Sequence, residues 1–208
     1  MGSAGVSHQI SGCRISNNIA AGGGGIYITN NGQVINSLIC NNTNSAAAAT
    51  GGGILAGNSA VKLTLRYGVI NCTIADNYSA TEGGGITTLG VSNYVANCVI
   101  ANNRADVSDP DIYNTADNSN SFWYSCATNV LFTPGQGNIT NDPALVNAGA
   151  GNYRLGVNSP CITAGTNLSA AAANVGSQDL DGRARIRYGR VDMGAYERIN
   201  EGTVYNVQ

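Results

Sequence analysis

The stretch that decides the fold is Asn71-Cys72-Thr73-Ile74-Ala75-Asp76-Asn77-Tyr78-Ser79-Ala80-Thr81-Glu82-Gly83-Gly84-Gly85-Ile86. Cys72 and Ile74 alternate with Thr73 and Ala75, a period of two, and the triplet Gly83-Gly84-Gly85 breaks any continuous helix. Short strands joined by tight turns are expected here.

Working outward, the same unit recurs as Ser11-Gly12-Cys13-Arg14-Ile15-Ser16-Asn17-Asn18, Ile35-Asn36-Ser37-Leu38-Ile39-Cys40-Asn41-Asn42 and Asn97-Cys98-Val99-Ile100-Ala101-Asn102-Asn103. Each copy leads into a corner: Gly23-Gly24-Gly25-Ile26, Gly51-Gly52-Gly53-Ile54, Gly83-Gly84-Gly85-Ile86, or a degenerate Asp109-Pro110-Asp111-Ile112. With Ser37 standing in for cysteine, the slot of Cys13, Cys72, Cys98 and Cys126 recurs after 24, 35, 26 and 28 residues. The last corner glycine, with Asp111 in fourth place, recurs after 28, 32 and 26. Such spacing marks a solenoid whose units bury their faces only by stacking. A right-handed parallel β-helix follows, because each unit is made of strands and parallel crossovers strongly favour that hand.

Stacking at ~4.8 Å turns equivalent slots into columns. Ile26, Ile54, Ile86 and Ile112 should form one inner aliphatic column, and Ile15, Ile39, Ile74 and Ile100 another. Asn18, Asn42, Asn77 and Asn103 fall at one turn, where side-chain amides can bond from coil to coil. The cysteine slots are expected to hold buried thiols packed as small hydrophobes rather than a disulfide framework. Copy length varies over 43–50 and 58–68, which should bulge as loops.

Composition agrees with an all-β chain: 28 glycines in 208 residues and only 11% charged residues leave few strong helix formers. The net charge of -2 gives no electrostatic footprint for nucleic acid or anionic membrane, so neither is an expected partner. No apolar run reaches the ~20 residues of a membrane span, and Met1-Gly2-Ser3-Ala4-Gly5 lacks the charged and apolar regions of a signal peptide. The organisation read from the repeats is a β-helix over residues 1–128, an irregular C-terminal cap over 129–198 and a tail over 199–208. The first copy has almost nothing before it, so its edge should be uncapped, either continuing a longer array or meeting a partner end to end.

Beyond Cys126 the repeat stops. Asn141-Asp142-Pro143-Ala144-Leu145-Val146 and Asn152-Tyr153-Arg154-Leu155 read as short strands, and Asn158-Ser159-Pro160-Cys161-Ile162-Thr163-Ala164-Gly165 as a turn and strand. Asp179-Leu180-Asp181-Gly182-Arg183 reads as a tight turn, and together these segments should cover the open end of the helix. This ordered set, closed by Val191-Asp192-Met193-Gly194-Ala195-Tyr196-Glu197, resembles the choice-of-anchor Q domain. That family comprises bacterial surface and secreted proteins with right-handed β-helix repeats, similar to pectate-lyase-like and polymorphic-outer-membrane-protein-like repeats. The resemblance implies an extracellular or cell-surface location and no particular reaction. This sequence departs from the family pattern at Thr163, where aspartate is more common, and at Cys161, where alanine is usual.

Candidate chemistry is sparse. His8 is the single histidine and no Gly-x-Ser-x-Gly elbow occurs, so triad catalysis lacks its parts. No Cys-x-x-Cys pattern occurs, and no metal or other cofactor is expected. Arg104, Asp106, Asp109 and Asp111 hold the ingredients of a polysaccharide lyase or glycoside hydrolase, but the equivalent slots of other copies carry Gly and Ala, so a turn is the favoured reading. Asp179 and Asp181 open like a calcium loop, but Ala184 and Arg190 stand where Gly and Glu are required; these acids, with Arg183, Asp192 and Glu197, should instead fix the cap. Tyr27 and Tyr113 should point outward if Ile26 and Ile112 point inward, and Trp123 should point outward if Cys126 points inward. Exposed aromatic rings stack on sugars, so these three are the candidate binding residues. The functional expectation is a non-catalytic binding or display module, adhesin-like and directed at polysaccharide or surface glycans; a β-helix lyase or hydrolase and a purely structural stalk are the alternatives.

Overall fold

The computed structural model describes residues 8–29, 32–47, 50–57, 68–89, 94–115, 121–127, 137–168 and 176–199. The first coil is β1 (His8–Ser11), β2 (Arg14–Ser16), β3 (Ile19–Ala20) and β4 (Ile26–Thr29). The second is β5 (Gly32–Ile35), β6 (Leu38–Cys40), β7 (Thr43–Asn44) and β8 (Ile54–Gly57). The third is β9 (Gly68–Ile70), β10 (Thr73–Ala75), β11 (Tyr78–Ser79) and β12 (Ile86–Leu89). The fourth is β13 (Tyr94–Ala96), β14 (Val99–Ala101), β15 (Arg104–Ala105) and β16 (Ile112–Asn114), and β17 (Ser121–Trp123) with β18 (Cys126–Ala127) opens a fifth. Every fourth strand pairs in parallel, giving four sheets: A through β1, B through β2, C through β3 and D through β4. This is the right-handed parallel β-helix; among the described residues its only helical turn is a 3-10 turn at Ala148–Ala150.

The registers carry the columns. Ile26, Ile54, Ile86 and Ile112 pair in sequence, as do Ile15, Ile39, Ile74 and Ile100, and all share one inner cluster with Val34, Val69, Val95 and Phe122. Two corners are turned by residues with left-handed backbone: Gly12, Asn36, Asn71, Asn97 and Tyr124 between sheets A and B, and Asn17, Asn41, Asp76 and Asn102 between B and C. Asparagine and aspartate tolerate that conformation because their short polar side chains satisfy nearby backbone. The residue after each turns inward. Asn18 donates its side-chain amide to Asn42 Oδ1 at 2.9 Å, Asn42 to Asn77 at 3.0 Å, and Asn77 to Asn103 at 3.0 Å. The backbone N–H of each donor goes to the same oxygen. Asn103 donates in turn to the buried Asp111.

The glycine corners work in two ways. Only the first residue of each triplet, Gly23, Gly51 or Gly83, has positive φ. The middle one is glycine for lack of room: a Cβ on Gly52 would collide with the carbonyl oxygens of Gly84 and Tyr78. The loop expected over 43–50 is partly strand, since Thr43 and Asn44 pair with Ile19 and Ala20 in sheet C. Residues 58–67, most of the second expected bulge, lie outside the described residues.

The cysteine slot needs one correction. Leu38 N–H reaches Cys13 O, Thr73 N–H reaches Ser37 O and Val99 N–H reaches Cys72 O, so Cys13, Ser37, Cys72 and Cys98 do stack. Ser125, not Cys126, continues the column: its hydroxyl accepts Cys98 N–H, as Ser37 Oγ accepts Cys13 N–H. Cys126 pairs with Val99 and points outward. All six cysteines are free, and all except Cys13 are buried.

The C-terminal segment differs from expectation in position. Only its start closes the fifth coil: Asn138 bonds Phe122 O and Ser125 N–H, and Ile139 continues sheet B beyond Cys126. The rest lies along the outside of sheet B. There the antiparallel pair β19 (Leu145–Asn147) and β20 (Asn152–Leu155) brings Tyr153 onto Leu38, Cys40 and Ala75, with Ala195 and Tyr196 beside it. Leu155, Cys161 and Met193 cover Val99, Ala101 and Cys126. From β6 onward sheet B is therefore buried on both faces, by a lateral wall rather than an end plug. Residues 158–165 form turns with no strand, whereas Asp179–Arg183 is the tight turn expected, closed by Asp179 N–H to Arg183 O at 2.7 Å.

Candidate functional site

With sheet B covered, sheet D presents the clearest candidate face. Because Ile26 and Ile112 point inward, Tyr27, Leu55, Thr87 and Tyr113 form its outward column. Tyr27 is 60% exposed, Tyr113 is half-buried, and Leu55 and Thr87 between them are buried. The two tyrosines are three coil rises apart, roughly 14 Å. Trp123 is 38% exposed but lies on sheet A, in the outward column of Ile35, Ile70 and Ala96. Its direction follows from the inward turn of Phe122 and Ser125, not from Cys126. The three candidate aromatics thus occupy two faces and do not make one platform.

The acidic segment after Asn103 does not converge. Asp111 is turned into the core, where its Oδ1 accepts Asn103 Nδ2–H at 3.0 Å and Asn103 N–H at 3.3 Å. Asp109, with φ of 52°, turns the corner and accepts the Ser108 hydroxyl at 2.9 Å. Asp106 accepts the Tyr78 hydroxyl at 2.6 Å, and Arg104 lies 4.8 Å from the centre of the Tyr78 ring. The bond to Asp106 pushes the Tyr78 phenol up, since ionising it would set two anions together. Tyr78 is the member of this surface group that the sequence reading missed. The spacing of 26 residues that joins Asn77 to Asn103 also joins Tyr78 to Arg104 and could have found it.

The Asp179 turn spends its carboxylate on backbone. Asp179 Oδ1 accepts the N–H groups of Asp181 and Arg183 at 2.9 and 2.7 Å, and Oδ2 accepts Glu197 N–H at 2.7 Å. Asp181 pairs with Arg154, whose guanidinium holds its carboxyl below the usual range, and with Arg183 at 3.2 Å. Among the described residues no group of three His, Cys, Asp or Glu could hold a metal ion.

Arg185, unassigned from the sequence, is the centre of the wall's attachment. It is buried and donates to Asn36 Oδ1 from Nε and Nη2, to Asn71 O, to Gly194 O, and to Glu197 at 3.1 Å. Burial, and then the neighbouring Asp192 charge, push the Glu197 carboxyl up to about 7, against the opposing pull of Arg185. Above Arg185 a cleft of about 500 Å³ opens between wall and helix, lined by Asn97, Thr166, Leu168, Ile186 and Val191 among others. Asn97 in its floor is already committed to Thr166, accepting its N–H at 2.8 Å and donating to its carbonyl at 2.9 Å. No protein-family model matches this sequence, and no curated protein matches it significantly.

Proposed function

We propose that the chain is a non-catalytic module of the extracellular or bacterial cell-surface kind, which binds or displays through the exposed aromatic rings of its lateral faces and is directed at polysaccharide. The observation that carries this reading is the contrast between committed acids and a free aromatic ring. Asp106, Asp109 and Asp111, which a hydrolase or lyase would bring together, serve a tyrosine, a turn and the core, while Tyr27 stands open to a sugar ring. The likeness of the C-terminal motifs to the choice-of-anchor Q domain supports the location. A further part of the proposal is an end-to-end contact at the first coil. No described residue donates to Asn18 Oδ1, Ile19 is 75% exposed, and a cavity of about 240 Å³ there is lined by Ile10, Ile26 and Ile28 among others.

The test is retention and cleavage on a panel of soluble neutral and acidic polysaccharides, with Tyr27→Ala and Asp109→Ala beside wild type. Retention that weakens with Tyr27→Ala supports the reading; cleavage abolished by Asp109→Ala overturns it, as does the absence of retention on every polysaccharide. Sedimentation velocity tests the end contact, which predicts association weakened by Ile19→Asp; a monomer at all concentrations removes it.

A further inference from the structure

We propose that Cys126 and Cys161 are a disulfide-forming pair that covalently ties the lateral wall to the fifth coil. Unlike Cys13, Cys72 and Cys98, Cys126 does not point into the inner column; it faces the wall in one buried cluster with Cys161, Leu155 and Met193. Its thiol donates to Asn141 O at 3.2 Å, and Cys161 is fixed opposite by Met193 N–H to its carbonyl at 3.0 Å and by Ser159 Oγ on its own N–H. Both side chains are fully buried. Contact between the two thiols is the first cause pushing the Cys126 thiol up, ahead of burial.

The position has a mechanical logic. Arg185 fastens the wall to the second and third coils, Ala195 N–H to Thr73 fastens it to the third, and Thr166 with Gly194 fastens it to Asn97 of the fourth. Over Cys126 itself the wall contributes Leu155, Cys161 and Met193, and the thiol bonds Asn141 O. A covalent link there would secure the last coil and close the intervening loop.

The oxidant is a small disulfide such as oxidised glutathione. During folding, before burial holds both thiols protonated, the thiolate of one cysteine attacks a glutathione sulfur, forming a mixed disulfide and expelling one glutathione thiolate. The second cysteine, deprotonated by solvent, attacks the protein sulfur of that mixed disulfide and expels the other glutathione. The balance is two protein thiols oxidised and one glutathione disulfide reduced to two thiols, each taking up one proton.

The full chain is refolded in a glutathione redox buffer and in reductant alone, then denatured, alkylated and mapped by mass spectrometry. The expected product is a peptide pair joining Cys126 to Cys161 and lacking two hydrogens, with Cys40, Cys72 and Cys98 alkylated. It is accompanied by a rise of several degrees in thermal midpoint that reductant reverses and Cys161→Ser abolishes. Alkylation of all six cysteines after oxidative refolding, pairing of Cys126 with another cysteine, or a link that lowers the midpoint would overturn the proposal. The map is read on the wild-type chain, so it decides the matter even if a serine variant fails to fold.

Discussion

Asp111 stands to Asn103 as each asparagine of the inner column stands to the one before it. Its carboxylate oxygen accepts the side-chain amide and the backbone N–H of Asn103, as Asn103 Oδ1 accepts those of Asn77, and it does so from the corner slot that holds Gly25, Gly53 and Gly85 in the other coils. The column is therefore closed by a residue reaching back from its own coil. Asp111→Ala and Asn77→Ala, each leaving buried donors or acceptors unpaired, are expected to cost about 3 kcal/mol in urea unfolding. Asn18→Ala, at the exposed end, should cost less than about 1 kcal/mol. Equal losses at Asn18 and Asn77 would contradict the column as a load-sharing element.

Two glycine substitutions separate backbone conformation from close approach. Gly12 has φ of +60° and open space around a would-be Cβ, so Gly12→Ala should cost about 1 kcal/mol. Gly52→Ala drives a methyl into two carbonyl oxygens of the next coil and should cost about 3 kcal/mol. Chemical denaturation of both variants checks the order.

Stability should rise as pH falls from 7.5 towards 5. Glu197 has its folded value raised to about 7, so between the ordinary glutamate value and 7 the folded chain binds more protons than the unfolded one. The raised Asp192 acts in the same direction. The gain is of order 2 kcal/mol, and it is opposed at lower pH, where Asp181, held below its ordinary value by Arg154, begins to lose its contribution. Urea midpoints at pH 5 and 8 measure it, and Glu197→Gln should flatten the slope.

Arg185→Lys should fail to replace arginine in the wall. The guanidinium reaches Asn36, Asn71, Gly194 and Glu197 at once, whereas an ammonium has one nitrogen to share among them. A loss of about 3 kcal/mol is expected, with earlier proteolytic cleavage in the C-terminal segment than in wild type. Unchanged stability in the lysine variant would mean that the apolar contacts of Tyr153 and Met193 hold the wall unaided.

Tyr27→Ala and Trp123→Ala should act independently on polysaccharide retention, because the rings stand on sheets D and A. The effects of the two changes should add within about 0.5 kcal/mol. Strong coupling between them in a double-mutant cycle would require one ligand to span both faces.

The sequence made the solenoid legible because its columns are written at fixed intervals, and Asn42, Asn77 and Ile86 each land where the spacing puts them. Cys126 was misplaced by one residue. The fifth copy reads Tyr124-Ser125-Cys126, and matching residue type favoured the cysteine, although Ser37 already showed that a hydroxyl serves that slot. The lateral wall was harder to read, for its segments are irregular and repeat nothing. Yet sheet B carries its trace: Leu38-Ile39-Cys40 and Val99-Ile100-Ala101 are apolar at every position, as strands buried on both faces must be, while Arg14-Ile15-Ser16 in the less covered first coil still alternates. Arg185 left no such trace, since its partners on the coils, Asn36 and Asn71, lie more than a hundred residues away.

The wall also works as a tape measure. Its fastenings fall at set levels, Arg185 on Asn36 and Asn71, Ala195 on Thr73, Thr166 on Asn97, so their spacing matches one number of coils. A duplicated coil inserted between Asn71 and Asn97 would find its own amide partners above and below, yet it would push those fastenings ~4.8 Å out of step. Tandem duplication, the ordinary way such arrays lengthen, is thereby forbidden beneath the wall even though every inserted residue would pair correctly.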